Sequence, residues 1–401
     1  NISEQYLNEH IEYMNSITNS EFQSDCIKTE DFLYEKIYPS FGKVSYHCEY
    51  LGVVDRKLPG EARSENILSP DRIPTYNNPK SLTTEEKEQC RQESQLITAS
   101  STSFASGSYD SIDKNGFLYN KGKKVENERK LYKHVGSNKN YLGDVSDDEP
   151  AIIKKITLSQ INGGCSITGL YAPPGEVITI KIAESELNKI ENISITIGQV
   201  FQNGQSNVIL GNYKDYPRMP ALTNTFILSN RTTTCEHIDS DYLFYVGSFL
   251  GGPIYVSTQA SCIYTIEISG AVRYPHFILG YTSEEEFEEN WNSSAPYLDI
   301  LVWQRGILLS GPKRDVTIRS YSDFYKVAIY WEKVASVSSQ FPCSPDKSLG
   351  IHMLYDCYIP AGNALSYKGK NTAILPINWF PDALDIENII NGKEIAWGSH
   401  H

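Results

Sequence analysis

The stretch Thr168–Ile182, Thr-Gly-Leu-Tyr-Ala-Pro-Pro-Gly-Glu-Val-Ile-Thr-Ile-Lys-Ile, constrains this chain more than any other. Pro173 and Pro174 fix φ and carry no backbone donor, and Gly175 can supply a positive φ, so the segment turns and cannot be helical. From Val177 to Ile182 every residue except Lys181 is β-branched, which suits a half-buried pleated strand. Further strands are expected at Gly198–Phe201, Thr225–Leu228, Gly251–Val256 and Tyr264–Ile268, each bounded by turn residues. From Ala151 to about Gly270 the strand spacing is that of an all-β sandwich, because one flat sheet could not bury both faces.

Composition narrows the function. With 401 residues, 40% hydrophobic and 11% aromatic, the chain is long enough for two or three folded domains. Its 27 tyrosines suit β-rich secreted proteins and surfaces that contact carbohydrate. A formal net charge of -13 with no clustered basic face argues against a nucleic-acid partner and against anionic membranes. No apolar run reaches the length that spans a bilayer, so no integral membrane segment is expected.

The eight cysteines include no Cys-x-x-Cys pair, which disfavours a zinc ribbon or a thioredoxin-type site and favours disulfides. The expected pairs are sequence neighbours: Cys235 with Cys262, Cys343 with Cys357, and Cys26 with Cys48. Asn-x-Ser/Thr sequons at Asn1, Asn192, Asn230 and Asn292 are candidate glycosylation sites. Together they give a secreted or cell-surface address.

Along the chain, Thr83 with Glu86 predicts a helix to about Gln95, and Gly116–Lys124 reads as a basic turn. After Gly270 helices alternate with strands. Ser283 with Glu286 caps an acidic helix to Trp291; Asp299–Trp303 and Val316–Arg319 read as strands; Asp323–Val337 is an amphipathic helix. Ile351–Tyr358 and Thr372–Ile377 are expected strands, and Asp385–Asn391 a short helix stopped by Gly392. His237, His276 and His352 are isolated and read as structural, and no Gly-x-Ser-x-Gly elbow occurs. The resulting organisation is multidomain α+β: a leading region 1–129, a β-sandwich 130–272, and a mixed α/β unit 273–401.

The order Leu170-Tyr171-Ala172-Pro173-x-Gly175-Glu176, then Arg218-Met219-Pro220 before a strand, then Gly251-Gly252-x-Ile254-Tyr255, resembles the enhancin-like, mucin-degrading metallopeptidases, peptidase family M60, over roughly residues 130 to 401. The resemblance implies a β-sandwich accessory domain followed by the first half of a zincin-type catalytic domain, acting on mucin-type glycoproteins through zinc-activated water. It also implies that Trp397-Gly398-Ser399-His400-His401 leads into a His-Glu-x-x-His zinc helix with His401 as first zinc ligand. The general-base glutamate and remaining ligands are not among these 401 residues, so no catalytic residue is expected in this chain and it should be inactive alone, as a fragment of its parent. Gly-Ser-His-His is also how a truncated purification tag reads, although Ile395-Ala396-Trp397 favours native sequence. Tyr255 is the one candidate substrate contact, with packing as its competing role. The alternative is a non-catalytic secreted or surface adhesin whose β-sandwich binds carbohydrate or protein.

Overall fold

The structure, a computed structural model, describes residues 46–56, 109–125, 130–133, 137, 144–160, 165–190, 192–198, 224–258, 262–302, 307–338, 351–356, 365–366, 372–376 and 379–386. These residues are mostly β, arranged in two sheets.

The larger sheet has 13 strands. They are β1 (Tyr46–Val54), β2 (Ser111–Ile112), β3 (Leu118–Asn120), β4 (Lys123–Lys124), β5 (Ala151–Gln160), β6 (Cys165–Ala172), β7 (Ile178–Ala183), β8 (Ile193–Ile197), β9 (Asn224–Leu228), β10 (Glu236–Ile238), β11 (Asp241–Val246), β12 (Gly252–Ser257) and β13 (Cys262–Arg273). Helix α1 (Glu184–Ile190) links β7 to β8 and buries Leu187 and Ile190. The expected inner strand is β7: Ile178, Ile180 and Ile182 are buried and alternate with Thr179, Lys181 and Ala183.

Long-range pairing turns these local strands into a closed core. β13 pairs with β5 along its length, with β7 through Glu267–Ser269, and with β6 at Val272 and Arg273. Its register shifts between Ser269 and Ala271, at Gly270. One bulged strand therefore serves two neighbours on the same side, and the sheet curls over its own apolar face. The expected two-sheet sandwich is realised as one continuous curled sheet around Ile156, Ile167, Ile180, Ile195, Ile254 and Ile268. Strands of the leading region belong to it, since β1 pairs with β5 and β2 with β11.

Gly116–Lys124 is not the plain turn expected. It contains β3 and β4, which pair with each other as a hairpin. The carboxylate of Asp113 accepts from the amides of Asn115 at 2.9 Å and Phe117 at 3.0 Å, turning the chain into β3. Likewise Gly198 falls just beyond β8, so the strand lies at Ile193–Ile197 and not at Gly198–Phe201, whose remainder is outside the described residues.

The second sheet is mixed: β14 (His276–Ile278), β15 (Tyr297–Leu301), β16 (Ile307–Pro312), β17 (Ile351–Asp356), β18 (Leu365–Ser366) and β19 (Thr372–Pro376), in the order β14-β15-β16-β17-β19-β18. Three helices accompany it: α2 (Glu284–Trp291), α3 (Tyr321–Ser338) and α4 (Phe380–Leu384). The Ser283 hydroxyl accepts from the Glu286 amide at 3.1 Å, the predicted cap of α2. Phe324, Val327, Ala328 and Trp331 bury the predicted face of α3. Trp331 Nε1 donates to the Ala383 carbonyl at 2.9 Å, tying α3 to α4.

One expectation fails here. Val316–Arg319 is no strand; Val316 is buried and Ile318 packs inward, imitating strand alternation, but the segment leaves the turn Lys313–Asp315 without joining a ladder. A helix that the sequence did not announce, Phe380–Leu384, has Pro381 in its first turn, where a missing N–H costs nothing, and Asp385 as its C-cap; Ile386 is helical again, and the rest of the helix expected at Asp385–Asn391 lies outside the described residues.

β15 is buried on both faces. Leu298 and Ile300 pack with Phe324, Val327 and Trp331 of α3, whereas Leu301, with Ile278 and Leu308, joins the core of the larger sheet. The molecule is thus layered here: curled sheet, second sheet, helices.

Candidate functional site

The Pro173-Pro174-Gly175 turn is held from three sides. Gly175 has φ +77°, and a Cβ there would lie 2.3 Å from the Lys133 amide nitrogen, so only glycine fits. Glu176 beside it is buried, and Arg56 donates to its carboxylate through Nε and Nη2, the latter at 2.5 Å. Burial pushes the Glu176 carboxyl up, and Arg56 opposes that shift. The same guanidinium donates to the Ser146 and Glu149 carbonyls. The loop that carries Asp144, Asp147, Asp148 and Glu149 is therefore clamped through its backbone; the Glu149 carboxylate also accepts from the Ser294 amide at 2.8 Å.

The contact between the two sheets contains an unusual density of polar groups. Cross-strand pairing places His276, Asp299 and Ser310 in one row across β14, β15 and β16. Asp299 has no exposed surface. It accepts from Tyr274 Oη at 2.7 Å, Ser310 Oγ at 2.5 Å and Tyr255 Oη at 3.1 Å. Burial pushes its carboxyl up to about 6, against the pull of these three hydrogen bonds. His352 Nε2 lies 2.7 Å from Ser310 Oγ. Since Ser310 spends its single hydrogen on Asp299, His352 donates to Ser310. Burial lowers His352 to about 3, so it is neutral near pH 7.

This is not a nucleophilic triad. The serine lies between the carboxylate and the imidazole, its hydroxyl is spent on the carboxylate, and none of the three faces solvent.

A second buried cluster abuts it. His276 Nδ1 donates to the Tyr274 carbonyl at 2.9 Å, leaving Nε2 as an acceptor with no hydrogen-bond partner among the described residues. Lys154 Nζ is 3.5 Å from Glu286 Oε1, which is 4.0 Å from His276 Nε2. Burial, and then Lys154, lowers His276 to about 4. Burial works to raise the Glu286 carboxyl, but Lys154 and His276 hold it below its ordinary value. Gly169, at φ +70°, makes room for the cluster: a Cβ there would come within 2.6 Å of His276 Nε2 and 2.7 Å of Lys154 Nζ.

The sequence-derived candidates fall as follows. Tyr255 is fully buried and its hydroxyl serves Asp299, so it occupies a core position with no face open to substrate. Cys235 is a free thiol, and its expected bridge to Cys262 is not made. Register explains this: Glu236 pairs with Leu243, Leu243 with Lys181, and Lys181 with Glu267. Three strand spacings, about 14 Å, separate the two chains, against a Cα limit of about 7 Å for a disulfide. Cys48 packs against the large core; Cys26, Cys343, Cys357, Asn1 and His401 lie outside the described residues. Asn230 and Asn292 are exposed and Asn192 is half-buried. Among the described residues no group of three or more His, Cys, Asp or Glu side chains could hold a metal ion. Sequence reasoning missed Asp299 and Lys154; a lone charge within Tyr-Leu-Asp-Ile-Leu was the available signal for Asp299, whereas Lys154 stands beside Lys155 and carried none.

Residues 153–259, from β5 through β12, match a family model described as the N-terminal domain of M60-like peptidases. The resemblance to this peptidase family therefore stands on that segment, and the family is one of metallopeptidases. Over 240 residues the chain is 24% identical to TRPM8 channel-associated factor 3 of Rattus norvegicus, covering 56% of this chain and 24% of the rat protein. Among solved structures, a functionally unknown conserved protein from Bacillus anthracis str. Ames is similar at TM-score 0.42 and 14% identity, covering 61% of this chain and 49% of that one. The IMPa metallopeptidase in complex with T-antigen is similar at TM-score 0.40 and 16% identity, covering 60% and 31%. The M60 catalytic domain of Clostridium perfringens ZmpC gives 0.37 and 14%, covering 59% and 46%. The chain spans about a quarter of the curated relative's length and less than half of each of these solved chains.

Proposed function

We propose that this chain is the accessory and early catalytic part of a secreted or cell-surface zinc metallopeptidase that cleaves mucin-type glycoproteins. The observation that carries the reading is the match of residues 153–259 to the N-terminal domain of M60-like peptidases, followed in the chain by a second, mixed sheet with helices. In this reading the accessory domain ends near residue 272 and a zincin-type α+β domain begins at 273. Its support is that β13 ends at Arg273 and the second sheet opens at His276. The exposed Asn230 and Asn292 are glycosylated during secretion.

His401 would be the first zinc ligand, completed by residues of the parent beyond these 401. Zinc, when bound at such a site, supplies Lewis-acid polarisation and a water acidic enough to lose a proton near neutrality. The described residues offer no donor set of that kind, so no catalytic step is assigned to them. Their part is to hold the second sheet in place.

The test is to incubate the chain and its full-length parent with an O-glycosylated mucin, with added zinc and with a zinc chelator. The parent cleaves and the chelator abolishes cleavage, while the chain is silent. Chelator-sensitive cleavage by the chain itself would place the active site within it. A silent parent would favour the second reading, a non-catalytic binding module, which the name of the rat relative, a channel-associated factor, supports.

A further inference from the structure

We propose that the buried layer centred on Asp299 is a pH-sensitive latch: acid strengthens the docking of the second sheet onto the curled sheet, and neutral medium weakens it. This rests on the junction alone and is independent of the peptidase reading.

The geometry joins both bodies at one carboxylate. Tyr255 approaches from β12, in the segment matched by the family model, and Tyr274 from the connection between the sheets; Ser310 approaches from the neighbouring strand β16. The other titratable groups around Asp299 are phenols and imidazoles. Tyr297 Oη lies 3.5 Å from Tyr255 Oη, His352 reaches Asp299 through Ser310, and His276 and Tyr171 pack against the Tyr274 ring. Burial pushes the Tyr255, Tyr297 and Tyr171 phenols up and both imidazoles down, so all five are neutral across the physiological range. The ionised carboxylate thus meets three dipoles and no cation among these neighbours. Dipoles alone do not replace the water it loses, in keeping with its value of about 6.

The sign follows. The docked value lies above the ordinary aspartate value of about 3.9, so the contribution is fully present below pH 4 and is lost as pH rises through 6. Separation of the sheets lets Asp299 ionise in water, and above pH 6 that gain favours the open state.

Amide hydrogen exchange of the 401-residue chain tests this. After correction for intrinsic exchange, protection of β12 and β15 should fall on the order of twenty- to thirtyfold between pH 4.5 and 7.5, the part of a shift of about two pH units that this window spans. Asp299→Asn should flatten that fall. Wild-type protection that is constant or higher at neutral pH overturns the proposal, as does an Asp299→Asn profile that tracks the wild type. Should Asp299→Asn fail to fold, Tyr255→Phe decides. Loss of one donor to the carboxylate must move the midpoint upward, and an unmoved midpoint overturns the latch.

Discussion

Replacing Arg56 by methionine keeps most of the side-chain volume and removes the cation from a buried pair. Only 8% of the Arg56 side chain and 4% of the Glu176 side chain are exposed in the folded protein, so the variant leaves a carboxylate without charge compensation. Removing one member of such a pair typically costs about 3–5 kcal/mol. Protonation caps the loss: neutralising a glutamate of ordinary pKa near 4.3 at pH 7 costs ~3.7 kcal/mol, and at pH 5 only ~1 kcal/mol. Burial already raises Glu176 in the presence of Arg56, so in Arg56→Met it rises further and the variant loses stability as pH climbs from about 4 to 7. Urea unfolding of wild type and variant at pH 5 and pH 7 measures both. Because Glu176 is already raised in the wild type, the expected destabilisation stays below that cap, at ~2–3 kcal/mol at pH 7 and under ~1 kcal/mol at pH 5, with most of the pH 7 loss recovered in Arg56→Met/Glu176→Gln. A loss under ~1 kcal/mol at pH 7, or one equal at both pH values, would refute the claim that charge compensation at the turn matters.

Gly169→Ala should lower the melting temperature by several degrees, because a β-carbon collides with His276 and Lys154 at a positive φ; differential scanning calorimetry reads it, with a cost on the order of 2–3 kcal/mol. Cys235→Ser should leave unfolding unchanged by reductant, and thiol titration of the denatured, unreduced protein should find Cys235 free. Asn230→Gln and Asn292→Gln, expressed through a eukaryotic secretory pathway, should each remove one glycan from the mass of the secreted protein.

Local signals were legible in the sequence and non-local ones were not. The β-branched run of β7, the serine cap of α2 and the apolar spacing of α3 act within a few residues, and each emerged close to the expected position. The curl of the large sheet depends on β13 meeting β5, β6 and β7 at once, which no local pattern encodes. The Asp299 layer draws on residues from Tyr255 to His352 and exists only once the strands are in register. Tyr255 drew notice for the glycines before it; its burial followed from a facing sheet that its own neighbourhood does not announce. Cys235 and Cys262 misled for the same reason, being near in sequence but strands apart in the sheet.

The two-faced burial of β15 makes that strand a checkpoint for assembly. A slip of one residue would turn Asp299 toward Phe324, Val327 and Trp331 and set Leu298 and Ile300 against Tyr255 and Tyr274, stranding a carboxylate in hydrocarbon and three hydroxyls without an acceptor. A purely apolar strand would forgive the slip. The polar row thereby singles out one alignment among several that would bury equal amounts of hydrocarbon, and the same row fixes how the matched segment meets everything that follows it.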